Sequence, residues 1–410
     1  MSAQGGVWGH LAPWYLESFL KDRVLIRRED TFRALQWVLE QVEPILEKVH
    51  AQDARFASSA QRSGSYIEGL QVSEPDEFDF LVPVLALPAL SLLLAAHLTW
   101  LSEQPPDASF QAVGVRNHWW SDGARTAGVQ DWVTAVDELP RAANSFSSFA
   151  SYALFWYSYF YPFLYARVGL LSLGKVIGAF RELVRSANSS TAVTVRPLQQ
   201  GTPAVTLTMP YYPKQISVDP KQISVDPKQI SVDLVPLIKN PFGWCNIPWP
   251  REGKPWPSPE KIHDIKATGV DLVAKHPLYW RYSFSRVERV LLEKIDDDGG
   301  RRRDSLRILK KVGEDCWKKK YGKVLVSYHL KTVLFWACEF HHLPDDWKDL
   351  TKSFKRLVDY LEFYLQKKCL PHYFLGSAVN LFKPEHSSRL QDLLCDVIKF
   401  KMSPMNGLKL

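Results

Sequence analysis

Glu77 and Asp79 stand two residues apart in the run Glu77-Phe78-Asp79. In an extended chain that spacing puts both carboxylates on one face, because successive side chains alternate sides. Two carboxylates so placed repel each other unless a cation lies between them. Hard oxygen ligands suit Mg²⁺ or Mn²⁺, ions that also take substrate phosphates. A lone Glu-x-Asp equally describes the solvated face of an edge strand. Here Phe78 and the apolar run Phe80 to Leu87 set the acids at the mouth of a buried strand instead. Upstream, Gly64-Ser65 reads as a short turn. Glycine lets a backbone approach a phosphate closely, and N–H groups with a hydroxyl can hold its oxygens. A two-metal centre needs a further carboxylate from another strand. Asp233 can supply it, with Asp226 and Asp219 as rivals.

The elements that must position these groups follow from periodicity. Phe32, Leu35, Val38, Leu39, Val42, Ile45 and Leu46 recur at helical spacing between Glu29 and His50, which predicts a long amphipathic helix kinked at Pro44. Glu77 to Leu87 reads as a buried strand and Lys175 to Ser186 as a second amphipathic helix. Ala192 to Arg196 and Ala204 to Met209 read as strands around the turn Gln200-Gly201-Thr202-Pro203. Lys-Gln-Ile-Ser-Val-Asp then occurs three times, from Lys214, Lys221 and Lys228. The first two copies end in Pro220 and Pro227, whereas the third runs on into Leu234-Val235-Pro236-Leu237-Ile238. Proline removes a ladder donor and is confined to strand edges and ends, so the third copy is the expected core strand and the others a looped-out duplication. Residues 240–257, rich in Pro, Trp and Gly, read as a loop. The clearest helices beyond are Val287 to Ile295, Ser305 to Lys320, Ser327 to Phe340 and Leu350 to Gln366.

Mixed elements first and helices after predict an α+β class: a twisted mixed β-sheet with flanking helices, then a C-terminal helical bundle lobe, with the site in the cleft between. The expected divisions are 1–55, an N-terminal segment and long spine helix; 56–255, the mixed core; and 256–410, the helical lobe. The core would carry an insertion at about 102–166 and the repeat over 214–234.

With 410 residues and 46% hydrophobic content the chain can bury two such lobes. Its formal net charge of +7 suits a polyanionic partner. Cys245, Cys316, Cys338, Cys369 and Cys395 form no CxxC pair, so reduced thiols in the cytoplasm are expected, with no disulfide framework and no structural zinc. Met1 to Trp14 lacks a basic start followed by an apolar run, so no signal peptide is read there. Phe80 to Leu101 and Ala142 to Ala166 are uncharged, but Pro83, Pro88 and Pro162 interrupt them. Both are expected to be buried in protein, with no membrane contact.

Several blocks, in order, give a specific resemblance. Gly64-Ser65-Tyr66 leading to Pro75-Asp76-Glu77-Phe78-Asp79 resembles the active-site opening of cyclic GMP-AMP synthase and the cGAS-like receptors of the male-abnormal-21 family. So do Gly201-Thr202-Pro203-Ala204-Val205-Thr206-Leu207 followed by Ile230-Ser231-Val232-Asp233, then Trp280-Arg281-Tyr282-Ser283-Phe284-Ser285, then Ser327-Tyr328-His329-Leu330-Lys331-Thr332. The resemblance runs from about residue 30 to about 385. It implies a nucleotidyltransferase fold and a templateless synthase that joins two NTPs, such as ATP and GTP, into a cyclic dinucleotide. Glu77, Asp79 and Asp233 would hold two Mg²⁺ or Mn²⁺ ions. Gly64 and Ser65 would meet the donor triphosphate, Arg281, Ser283 and Ser285 would read a base, and Tyr328 would stack on one. Ser327, Lys310 and Lys275 would lie near phosphates.

Two departures bear on the partner and on activity. Where cyclic GMP-AMP synthase has a zinc-binding insertion, this chain has Asp296-Asp297-Asp298-Gly299-Gly300-Arg301-Arg302-Arg303, without Cys or His. That absence suits members without zinc, some of which sense double-stranded RNA, so RNA is expected over DNA as activator of a monomer or ligand-induced dimer. Gly299 to Lys323 holds ten Lys/Arg against three Asp/Glu, an excess equal to the net +7 of the whole chain. With Lys21, Arg23, Arg27, Arg28 and Arg33 it reads as a phosphate-tracking surface, or as a solvated face. The second departure is the repeat. Were it to displace the third acid, the chain would resemble the catalytically silent members that act as binding proteins.

Overall fold

The computed structural model describes residues 12–25, 28–74, 76–85, 114–116, 133–135, 168–171, 173–198, 202, 204–212, 227–240, 243–244, 247–276 and 279–409. The first two repeat copies, the aromatic run from Phe155 to Tyr165, most of residues 102–145, and Asp219 and Asp226 lie outside the described residues.

The sheet takes strands from five stretches of chain. They are β1 (Gln61–Ser63), β2 (Glu77–Pro83), β6 (Thr194–Val195), β7 (Val205–Tyr211) and β8 (Lys228–Lys239), in the order β1-β2-β8-β7-β6. A hairpin of β9 (Asp271–His276) and β10 (Tyr279–Ser283) adds to it through β9 and β8. β2 and β8 run parallel and every other pair antiparallel, so the sheet is mixed. The third copy of the repeat is the described strand, because Leu234 to Ile238 carry it on into the core. Pro236 sits inside β8, where β7 pairing ends at Leu234 and β9 pairing begins at Leu237. Its missing N–H therefore falls in a gap of the ladder. A separate three-stranded group joins β3 (Gly114–Arg116), β4 (Val133–Ala135) and β5 (Val168–Leu171) in the order β3-β5-β4.

Period-2 alternation divides the main sheet between two tasks. Phe78, Phe80 and Val82 of β2 and Ile230, Val232 and Leu234 of β8 are buried on one face. That face packs on α2 (Arg28–Gln52) and α3 (Leu173–Ala187) through Val38, Val42, Leu46, Val176 and Phe180. The intervening residues Glu77, Asp79 and Asp233 are therefore turned to the other face. α2 is continuous through Pro44, the position of the expected kink. Buried Val42, Ile45 and Leu46 on either side hold it to the sheet.

The helical lobe comprises α4 (Pro259–Thr268), α5 (Ser285–Leu292), α6 (Arg302–Val312), α7 (Ser327–Phe340), α8 (Leu350–Lys367) and α9 (Ser387–Met402). Trp347, Phe354, Leu357, Leu361, Phe335 and Leu306 form part of its core. α8 starts where Asp349 caps it, its carboxylate accepting from Lys352 N at 2.8 Å. α1 (Pro13–Phe19) and the π-helical turn after it bury Leu16, Phe19, Leu20 and Val24 in this same core. The N-terminal segment is thus divided, α1 against the helical lobe and α2 against the sheet. Among the described residues no helix is long and apolar enough to cross a membrane.

Candidate metal and nucleotide site

The register of the sheet assembles the acids. Asp79 of β2 pairs in parallel with Asp233 of β8, and Glu77 with Ser231 two residues earlier. Side chains on adjacent strands at matched positions lie side by side. One carboxylate oxygen each from Glu77, Asp79 and Asp233 falls within 4.8 Å of the others. Glu77 is exposed, and Asp79 and Asp233 are half-buried, so the group sits at the lip of the sheet and opens to solvent. Asp233 also accepts a hydrogen bond from Thr206 Oγ1 of β7 at 2.6 Å.

Among the described residues no cation forms an ion pair with this group. Burial, then the charges of Glu77 and Asp233, push Asp79 up to about 7. Burial and Asp233 also raise Glu77. Three hard oxygen donors in mutual repulsion are the donor set that a Mg²⁺ or Mn²⁺ ion fits. Exposed Lys318 and Lys323 of the helical lobe act on Glu77 from a distance and partly offset its repulsion.

Gly64 closes one side of the group. It has φ +83°, and a Cβ there would lie 2.4 Å from Asp79 Oδ2, so any other residue would strain the backbone and displace the carboxylate. Ser65 follows in a single helical turn, Gly64–Ile67, and its carbonyl accepts from Leu70 N at 2.7 Å. The next three residues are fastened to the helical lobe. Lys331 Nζ of α7 bonds Glu68 at 2.7 Å, Arg307 Nε of α6 donates to Gly69 O at 2.7 Å, and Lys310 Nζ donates to Leu70 O at 2.6 Å. Lys331 is shared with Glu288 of α5 at 2.6 Å. Burial opposes its charge, but Glu288 and Glu68 outweigh burial and hold it above the usual lysine range. Glu68 is raised by burial.

The remaining expected site residues lie on β9, β10, α5, α6 and α7. Lys310 is 5% exposed, bonded to Leu70, and pulled down to about 8 by burial. It therefore supports the Gly64-Ser65 turn from below. Arg281 ends up half-buried on β10, and burial lowers it. Ser283 Oγ and Ser285 Oγ face each other at 3.2 Å where β10 turns into α5. Ser327 is exposed at the first position of α7. Tyr328 Oη lies 2.8 Å from His372 Nε2. His372 Nδ1 accepts from Phe374 N at 3.2 Å and Leu375 N at 3.3 Å, so its proton is on Nε2 and it donates to Tyr328. Burial lowers His372 to about 4, which keeps it neutral. Lys275 lies on β9, and its side chain lies outside the described residues.

The cationic window 299–323 is mostly used inside the protein, contrary to its reading as one exposed surface. Arg302 is 2% exposed and paired with Asp298 at 2.7 Å. Arg301 pairs with Glu17 and Arg307 with Asp304, while Arg303 donates to Leu292 O. Lys311 pairs with Asp315 and Lys320 with Asp396. Lys318, Lys319 and Lys323 remain exposed without an ion pair among the described residues. Of the acidic run before the window, half-buried Asp296 accepts from Arg302 N and Arg303 N at the start of α6, while Asp297 and Asp298 are exposed. Arg33, expected to extend the surface, pairs with Asp30 at 2.9 Å. Thr206, Glu68, Glu288 and His372 were not singled out in the sequence. Only Thr206, within the expected strand Ala204 to Met209 and opposite the Ile-Ser-Val-Asp strand, left a signal there.

A mixed sheet with flanking helices, three acids at its lip and a helical lobe against it define a nucleotidyltransferase-like core with its C-terminal helical domain. Two family profiles match in the same order: the Mab-21 protein nucleotidyltransferase domain over residues 66–294 and the Mab-21 protein HhH/H2TH-like domain over 301–399. The chain belongs to the Mab-21 family. It is 38% identical over 156 residues to Protein mab-21-like 3 of Danio rerio, covering 38% of this chain and 40% of that protein. It is 37% identical over 175 residues to Protein mab-21-like 3 of Xenopus laevis, covering 42% and 47%. The chain thus spans less than half the length of these two relatives. Protein mab-21-like of Drosophila melanogaster is 23% identical over 406 residues, covering 92% of this chain and 90% of that protein.

Proposed function

We propose that this chain is a nucleic-acid-activated nucleotidyltransferase that joins two NTPs, ATP and GTP among the candidates, into a cyclic dinucleotide in the cytoplasm. The observation that carries the reading is the convergence of Glu77, Asp79 and Asp233 within 4.8 Å. Two Mg²⁺ or Mn²⁺ ions bound there would supply charge to the attacking hydroxyl and the departing pyrophosphate. Asp233, whose Oδ1 accepts from Thr206, would also take the ribose hydroxyl proton. The ribose oxygen then bonds the α-phosphorus of the donor as pyrophosphate leaves. The linear product turns over, and a second transfer of the same kind closes the ring. Ser65 and the backbone of its turn would hold the donor triphosphate. Tyr328, oriented by His372, would stack on a base beside Arg281, Ser283 and Ser285. Acceleration would come from positioning and fixed charge. Double-stranded RNA, in preference to DNA, would meet the exposed Lys318, Lys319 and Lys323.

One observation favours a second reading, a catalytically silent binding or scaffold protein. Lys310 and Tyr328, expected on a phosphate and a base, already have protein partners in Leu70 and His372. Incubation of purified protein with four NTPs and Mg²⁺ or Mn²⁺, with and without double-stranded RNA or DNA, separates the two. A phosphatase-resistant product that disappears in Asp79→Asn supports the enzyme. No product from folded protein under any ligand supports the scaffold, and full activity in Asp79→Asn overturns the metal assignment.

A further inference from the structure

Asp79 and Asp233 lie side by side across a parallel pair, and like charges on adjacent strands push their side chains apart. A free aspartate would rotate away to relieve that repulsion, and the geometry in which an ion is shared would be lost. Asp233 is not free. Its other neighbour is Thr206 of β7, its partner in the antiparallel register, and the Thr206 hydroxyl donates to Asp233 Oδ1 at 2.6 Å. The carboxylate only accepts, so the direction of the bond is fixed.

Thr206 is itself held. As a β-branched residue it has few χ1 choices. Arg196, next to β6, fixes the strand behind it: its backbone N donates to Thr206 O at 2.9 Å, and its Nε donates to Thr208 Oγ1 at 2.6 Å. A row Ser63–Asp79–Asp233–Thr206 thus crosses four strands at matched positions. The hydroxyl at the end of that row holds Oδ1 and so fixes the plane of the carboxylate.

We infer that Thr206 is a positioning residue for the metal centre, tethering Asp233 so that the three carboxylates stay convergent before an ion arrives. This rests on the metal-centre reading proposed above. Outer hydrogen bonds of this type typically set metal affinity by about 10–100-fold.

The test is Mn²⁺ binding by the full chain without nucleotide, read from the electron paramagnetic resonance of free Mn²⁺. Thr206→Val keeps the shape and strand preference of threonine but removes the hydroxyl, and about a tenfold loss of Mn²⁺ affinity is expected. Thr206→Ser keeps the hydroxyl and should bind within about twofold of the parent, since the tether is retained. Thr206→Ala serves as a second variant without the hydroxyl should the valine variant fail to fold, with the same loss expected; circular dichroism melts establish folding in each. Parental affinity in a folded valine or alanine variant overturns the inference while leaving the metal centre standing. So does a serine variant as weak as the valine one. A folded parent chain that binds no Mn²⁺, or an Asp233→Asn variant that binds as the parent does, overturns the metal centre and the tether together.

Discussion

The two walls of the cleft carry charge in opposite conditions. On the sheet, Glu77, Asp79 and Asp233 face one another with no ion pair to a cation among the described residues. On the helical wall, Lys331 lies between Glu68 and Glu288, Lys310 is seated on Leu70 O, Arg307 is on Gly69 O and Arg302 is on Asp298. Charge without a partner is offset by water, by a proton or by an ion that the protein binds. Charge with a partner is spent on holding the fold. The number of charged residues in a stretch of sequence does not distinguish the two, whereas burial and pairing do.

The contrast can be broken at its strongest point. Lys331→Met removes the shared cation and leaves two buried carboxylates unpaired, which should cost about 3–5 kcal/mol in urea unfolding. A variant as stable as the parent would mean that the helical wall is not self-balanced. Asp79→Asn should act in the other direction. The native pKa of Asp79 is raised to about 7, above its unfolded value of 3.8, so its favourable contribution is complete below about pH 4 and is lost as pH rises through about 7. At pH 8 with chelator, Asp79→Asn should be more stable than the parent by on the order of 2–4 kcal/mol, and at pH 4 nearly equal to it. Equal melting curves at both values would show that the acids are not in conflict.

Smaller effects sharpen the comparison. Gly64→Ala meets a positive φ and the Asp79 carboxylate together, and should destabilise by roughly 1–3 kcal/mol. Repeating it in an Asp79→Ala background should remove only the contact part of that loss, which a double-mutant cycle in urea reads directly. The smallest effect is expected at Lys319. Lys319→Ala should leave the melting midpoint unchanged but weaken double-stranded RNA binding in a salt-dependent manner. If RNA binding instead stays the same in a combined Lys318, Lys319 and Lys323 alanine variant, the exposed end of this window is a solvated face.

Local rules exposed some of this molecule and concealed the rest. The Glu77/Asp79 alternation and the choice of the third repeat copy were legible because period 2 and proline placement act within a few residues. α7 was legible with its bounds, Ser327–Phe340, because its apolar spacing is uninterrupted. The β9–β10 hairpin was not, because Leu272 and Val273 are buried from both sides and show no alternation. Nor was the division of the N-terminal segment, since an apolar helical stripe does not name the core it joins. The basic window misled for the same reason. Arg302 and Lys310 are drawn inward by partners remote in the chain, Trp347 beneath one guanidinium and Leu70 before one ammonium, and only tertiary structure supplies those.

The three bonds to Glu68, Gly69 and Leu70 have a mechanical consequence. By chain connection the Gly64-Ser65 turn belongs to the sheet, but its downstream end is riveted to α6 and α7. Its upstream end is held as firmly to the strands, since Ser63 pairs with Asp79. Were the lobes to rock against each other, the strain would fall on the few residues between these two anchors, Gly64 to Ile67, which makes this single helical turn the hinge pin between strands and helices.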